Sequence, residues 1–286
     1  MGKQFTLYSF VGSQWAGTAH LALAEKGFTE ADYHLEEIDL VAASNFDPKY
    51  LEINPNGTVP SLTSPSLDKP LSESTDILRY LDKLKGGRTL VPEDGETKRR
   101  VQLILDLVHS SDVDTNVILL QARDAGELNG KKNSPWKQFV TNRQAKLDKE
   151  RAAHPEHPFY GPKSDENGHL HNLYTTETGP AHESFFTATQ ERYRTFAEGM
   201  AKLEKLLVLP YAAGDAITEA DFHVVPWLAH AMEGAGTEPS DKQNFEPLER
   251  LVQKSVPGFQ VGPSTKKWWE NMNATASFQK VYPVLH

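Results

Sequence analysis

The stretch that most limits what this chain can become runs from Asn54 to Ser74. It opens on the turn-rich run Asn54-Pro55-Asn56-Gly57-Thr58 and enters the short segment Ser61-Leu62-Thr63 through Val59-Pro60. An X–Pro bond takes the cis form at a cost of only about 0.5–1 kcal/mol, so a turn can hold it. A cis proline ahead of a strand leaves the N–H and C=O of the preceding residue unpaired. An extended peptide can then bond to them as a short added strand would. On Val59-Pro60 alone, an ordinary trans proline at a strand start is the commoner arrangement. Glu73-Ser74 shifts that balance. Ser74 opens a helical pattern, where free N–H groups and the helix dipole favour a carboxylate and the hydroxyl adds a donor. Glu73 suits a neighbouring ammonium group. A plain serine cap is the simpler account of Ser74 taken by itself.

The surroundings fit a small α/β domain. Phe5 to Phe10 alternates as a strand, Trp15 to Lys26 has helical spacing, and Gly27 suits the left-handed position past a helix end. Tyr33 to Ile38 reads as a second strand, parallel to the first because a helix intervenes. With the proline-led hairpin and the helix Ser74–Leu84, whose Ile77, Leu78 and Leu81 point inward, the order is thioredoxin-like. Gly86 to Gly95 reads as a linker, giving a first domain over residues 1–86 and a second, all-helical domain over 94–286.

In that second part helical patterns cover Glu96 to Ala125, Glu183 to Leu207, Glu219 to Ala235, Phe245 to Val256 and Thr265 to Ala274. The stretch from Asn129 to Pro180 is rich in Pro, Gly, Lys, Glu and His. It reads as a long loop with one charged helix, Pro135 to Ala153: an insertion around 129–182 between the first two helices of the domain.

Two domains suit 286 residues. The formal charge of −9 gives no footprint for nucleic acid or an anionic membrane. With no cysteine in the chain, disulfides, thiolate metal sites and cysteine nucleophiles are excluded. No window approaches the roughly 20 apolar residues of a membrane span, and Met1-Gly2-Lys3-Gln4 runs straight into a strand without a signal segment. A soluble cytoplasmic protein is expected. His154-Pro155-Glu156-His157 and His169-Leu170-His171 lie among prolines and lack completing ligands, so they read as solvated loop histidines and no metal is expected.

The Asn54–Pro60 and Pro70-Leu71-Ser72-Glu73-Ser74 stretches resemble the glutathione-transferase superfamily. The resemblance returns downstream at Ala213-Gly214-Asp215-Ala216-Ile217-Thr218-Glu219-Ala220-Asp221-Phe222. There Thr218 and Asp221 suit a short capping box, Ile217 and Phe222 take the staple positions, and Pro226 is expected to kink the helix. The opening Leu7 to Trp15 looks like the serine-type transferases, and with the insertion it looks most like the fungal-specific class A, which is related to bacterial etherases. The resemblance implies glutathione as co-substrate, a small hydrophobic or aromatic electrophile, a homodimer, and a role in detoxification or as a ligandin-type carrier.

It also implies roles for residues. Ser13 falls at the family's loop serine, whose hydroxyl donates to the glutathione thiolate and is not itself a nucleophile. A solvent-facing turn serine is the plain alternative. Ser9 is a weaker candidate, because alternation along the strand turns it inward. Val59 and Pro60 would hold the tripeptide's main chain, and Glu73 and Ser74 its γ-glutamyl head. Lys49 and Asn45 lie where the family places a group for the glycine end. The electrophile pocket would be lined by Trp15, His109, Asp112 and Asn116, although Trp15 serves equally well as an interface residue. Three readings follow: a transferase, a carrier with little catalysis, or an interaction module of the kind found in translation elongation complexes.

Overall fold

The computed structural model describes residues 3–286. Its first domain contains β1 (Phe5–Ser9), α1 (Gln14–Glu25), β2 (Tyr33–Glu37), the single turn α2 (Pro48–Leu51), β3 (Ser61–Thr63) and α3 (Ser74–Leu84). The sheet order is β2-β1-β3. β1 runs parallel to β2, from Phe5 opposite Tyr33 to Ser9 opposite Glu37, and antiparallel to β3, with Leu7 opposite Leu62. A single bridge between Leu62 and Leu71 extends the β3 side, which leaves β2 as the open edge with His34, Leu35, Glu36 and Glu37 exposed. This is the expected thioredoxin-like arrangement.

Period two along β1 buries Phe5, Leu7 and Ser9. Phe5 and Leu7 share one apolar cluster with Ala19 and Ala22 of α1 and with Ile77, Leu78 and Leu81 of α3. α1 stops at Gly27, whose φ of +67° lets the Phe28 N–H return to the Leu23 carbonyl at 2.9 Å. That is the six-to-one bond of a Schellman cap, with glycine at the left-handed position.

The second domain is all helix: α4 (Gly95–Val108), α5 (Asn116–Leu120), α6 (Ala125–Lys132), α7 (Pro135–Ala153), α8 (Tyr160–Thr175), α9 (Pro180–Leu206), α10 (Glu219–Gly234), α11 (Glu246–Gln253), α12 (Pro263–Asn273) and α13 (Ala276–Val281). α10 is its axis, buried along nearly its whole length and packed on both α1 and α4. The capping box forms at its start, where the Thr218 N–H donates to the Asp221 carboxylate at 2.8 Å. Asp221 also accepts from the Ala212 N–H at 2.7 Å and the Trp268 indole N–H at 2.9 Å, so the cap is tied into the core. Pro226 lies inside a helix that continues unbroken to Gly234.

The insertion departs from expectation. α7 has the expected bounds, but α6 and α8 flank it, so a segment read as a long loop is mostly helical. α8 contains Gly161 and Gly168, each costing about 1 kcal/mol of helix propensity against alanine, and only Tyr160, Ser164, Leu173 and Tyr174 are buried. No apolar stripe announces it. Packing against α7 and the rest of the chain supplies what local preference lacks. α13 is a further helix that carries no strong periodic signal.

Candidate functional site

The candidate residues lie at the start of α1, in the loop ahead of β3 and at the start of α3. Ser13 is the N-cap residue of α1, in extended backbone (φ −97°, ψ 118°), yet its hydroxyl does not cap the helix. Its Oγ reaches instead to the Val59 carbonyl oxygen at 3.4 Å. That is long for an O–H···O bond, so the hydroxyl is only loosely engaged. The Val59-Pro60 bond is cis. Val59 clusters with Tyr50 and Ile38, and with Tyr8 and Phe10 packed against them. Ser9 lies on the opposite face of β1, 3% exposed and bonded to His20 Nε2 at 2.8 Å, buried as alternation along the strand requires.

The loop before Val59 is braced from within. Asn45 is buried and its Nδ2 donates to the Gly57 carbonyl at 2.6 Å. The Thr58 carbonyl accepts from the Tyr50 hydroxyl at 2.5 Å and from Asn54 Nδ2 at 2.8 Å. Asn45 therefore spends its amide on the loop, while Lys49, on α2, is exposed. At α3 the N-cap residue is Glu73, extended and exposed, and Ser74 is the first helical residue, 5% exposed. The unpaired N–H groups of that first turn are the feature suited to an anion.

On the helical side, the Trp15 ring stacks on His109 with centroids 4.1 Å apart and planes 15° from parallel. His109 Nε2 meets Nδ1 of His223 at 2.8 Å, and His223 Nε2 lies 3.5 Å from the Thr75 hydroxyl. His223 comes from α10, and sequence reasoning missed it. Nothing in the chain announces a partner for His109 that is 114 positions away. Burial lowers the pKa of His223 well below 6.5, helped by the charges of His109 and Arg79. Burial also lowers His109, partly countered by Asp106. Two neutral imidazoles thus share one hydrogen bond. Beside them Arg79 grips Glu219 through two contacts, at 2.8 and 3.0 Å, locking α3 to α10.

Asp112 and Asn116 make their hydrogen bonds elsewhere. The Asp112 carbonyl accepts from Thr195 at 2.9 Å, and Asn116 closes onto the Asp114 carboxylate. A second domain-spanning chain escaped the sequence reading. The Thr115 hydroxyl donates to Gln14 Oε1 and meets His230 Nδ1 at 2.7 Å. Because the hydroxyl proton is used on Gln14, His230 must donate from Nδ1.

Among the described residues no group of three or more His, Asp or Glu side chains is placed to hold a metal ion. No described helix is long and apolar enough to cross a membrane.

Residues 3–83 match the family model "Glutathione S-transferase, N-terminal domain". The chain is 35% identical over 92 residues to glutathione S-transferase Z1 of Arabidopsis thaliana, covering 32% of this chain and 39% of that one. It is 30% identical over 106 residues to the maleylacetoacetate isomerase of Rattus norvegicus, covering 36% and 47%. It thus spans less than half the length of either relative. Over the whole fold it is similar to the β-etherase LigF from Sphingobium sp. strain SYK-6, with a TM-score of 0.63 at 18% identity over 98% of this chain and 99% of the other. The chain therefore matches a glutathione S-transferase N-terminal domain over residues 3–83 and throughout its length shares a fold with LigF, a thioredoxin-like domain followed by a helical one.

Proposed function

We propose that this protein is a glutathione transferase of the serine type, in which the Ser13 hydroxyl steadies the glutathione thiolate for attack on a small hydrophobic or aromatic electrophile. The observation that carries the reading is the meeting of Ser13 Oγ with the Val59 carbonyl at the N-terminus of α1. That loosely held hydroxyl is free to turn toward a sulfur atom. A thiol with pKa near ~8.5 is only roughly 3% ionised at pH 7. A charge-assisted hydrogen bond of about 1.5–3 kcal/mol, with the helix dipole adding about 0.3–1 kcal/mol, lowers that pKa by about one to three units. The thiolate then attacks the electrophile directly, and Ser13 forms no covalent bond.

In this reading the tripeptide lies along Val59 and Pro60, its γ-glutamyl carboxylate at the first turn of α3 by Ser74 and its ammonium group near Glu73. Lys49, exposed on α2, is the cation available to the glycine end, while Asn45 shapes the loop from behind. The Trp15–His109 ring pair offers a flat apolar surface to the electrophile. The finer reading is a cytoplasmic homodimer of the fungal-specific class A, related to etherases. The same ring surface favours one alternative, a glutathione-dependent carrier of phenolic or hydrophobic compounds. Calorimetry with glutathione up to millimolar levels tests the reading: saturable heat supports it, and none ends it. Conjugation across a panel of electrophiles separates the enzyme from the carrier.

A further inference from the structure

The hairpin of α7 and α8 grows out of the helical domain but lands on the first domain, beside the loop that leads to Val59. α7 is polar on most sides and buries only Val140, Leu147 and Glu150. Leu147 joins Tyr160 of α8 in a cluster with Ala43, Phe46 and Leu51 of the first domain. Polar contacts fix the same junction. The Tyr160 hydroxyl donates to the Phe46 carbonyl at 2.9 Å, Asn142 Nδ2 donates to the Val41 carbonyl at 3.1 Å, and Lys146 pairs with Asp47. The Arg143 guanidinium lies over the Phe46 ring at 4.3 Å.

Phe159 completes the contact from outside. Its ring packs so closely on Gly57 that a Cβ there would come within 2.8 Å of the ring's Cζ. At the other end of the hairpin, Trp136, Leu170 and Tyr174 pack with Leu128 and Phe186 of the helical domain, and the Tyr174 hydroxyl donates to the Leu120 carbonyl at 2.7 Å. The hairpin therefore bridges the two domains by a route separate from the α1–α10 core.

A continuous line of contacts leads from it to Val59. Tyr160 holds the main chain of Phe46; the adjacent Asn45 holds the Gly57 carbonyl; Phe159 presses on Gly57 itself. Two residues later comes Val59. We propose that the α7–α8 hairpin is a strut that fixes the Asn45–Val59 wall, with Tyr160 and Phe159 as positioning residues for glutathione. The ligand in this statement rests on the function proposed above, whereas the strut does not.

The test uses the full chain carrying Tyr160→Phe or Phe159→Ala, with Thr218→Ala, a helix-cap change remote from the hairpin, as control. Amide hydrogen exchange without ligand reads the wall directly, and steady-state kinetics read its use. Both near-end variants should exchange faster at Phe46 to Thr58 and raise KM for glutathione roughly five-fold, the worth of about one hydrogen bond. Their kcat at saturating glutathione and KM for the electrophile should stay within about two-fold, because the thiolate's own partner is untouched. Thr218→Ala should change neither exchange at the wall nor the KM for glutathione. Unchanged exchange at Phe46 to Thr58 in Tyr160→Phe and Phe159→Ala overturns the strut; faster exchange with an unchanged KM for glutathione, or with kcat falling as far as KM rises, overturns the positioning role. If the parent protein takes up no glutathione, the ligand assignment fails, and the exchange data still decide whether the strut exists.

Discussion

The Ser13 hydroxyl stands 3.4 Å from the carbonyl oxygen of Val59, joining two loops 46 residues apart. This contact is too long to be a strong bond, so little is lost when the hydroxyl turns to another acceptor.

Ser13→Ala should therefore leave the fold and the hold on glutathione nearly intact while depressing conjugation. Removing one charge-assisted donor at about 1.5–3 kcal/mol corresponds to a fall of roughly 10- to 100-fold in kcat/KM. Retention on immobilised glutathione should persist. Turnover equal to that of the parent protein would take Ser13 out of the mechanism.

Asp221 is the polar pivot of the second domain. Burial pushes its carboxyl up, while the Trp268 indole, the main-chain N–H groups of Thr218 and Ala212, and the Thr218 hydroxyl pull it back. Asp221→Asn turns an amide N–H₂ toward at least one of those donors and should cost about 3–5 kcal/mol, comparable to breaking a buried charged pair. Thr218→Ala removes one cap contact and should cost about 1 kcal/mol. Urea unfolding of the two variants checks the ratio; similar losses would refute the central place of Asp221.

Three histidines make the fold acid-sensitive. Burial pushes His20 down to about 4, helped by His286, and pushes His230 to about 4; His223 lies well below 6.5. Below pH 6.5 the unfolded chain takes up a proton at each of them and the folded chain does not, so stability falls as the pH falls. Each contributes about 1.4 kcal/mol per pH unit, or about 4 kcal/mol per unit for the three. The urea midpoint should drop steeply between pH 6 and 4.5. His230→Gln, which keeps a partner for Thr115, should make that slope about one-third shallower. An identical slope would show that His230 is not held neutral.

Gly17 is fixed by what stands over it. A Cβ there would overlap the Tyr282 hydroxyl and come within 2.9 Å of Pro226 Cβ, where α1 crosses α10 and α13. Gly17→Ala should lower stability by about 1–3 kcal/mol through overpacking, although alanine is the better helix former by about 1 kcal/mol. A variant as stable as the parent would mean that α13 moves aside freely.

The sequence disclosed most where local chemistry and tertiary fold agree. Gly27 ends α1 because only its conformation closes that cap, and Thr218–Asp221 start α10 through their own hydrogen bonds. Val59-Pro60 and Ser13 were legible as types of residue in a known order, and the structure brings them together. The His109–His223 pair was not legible, because it depends on where α4 and α10 cross. α8 was missed for a related reason. Its glycines and polar residues argue for a loop, and contacts with α7, the first domain and the rest of the helical domain make the helix worth forming.

The open side of the sheet has a consequence for how copies of this chain meet. An edge strand with free main-chain groups can recruit another strand, and charged side chains discourage this. Along β2 the exposed Glu36 and Glu37 set two acidic side chains at the open edge. Continuous sheet growth from one molecule to the next is thereby disfavoured.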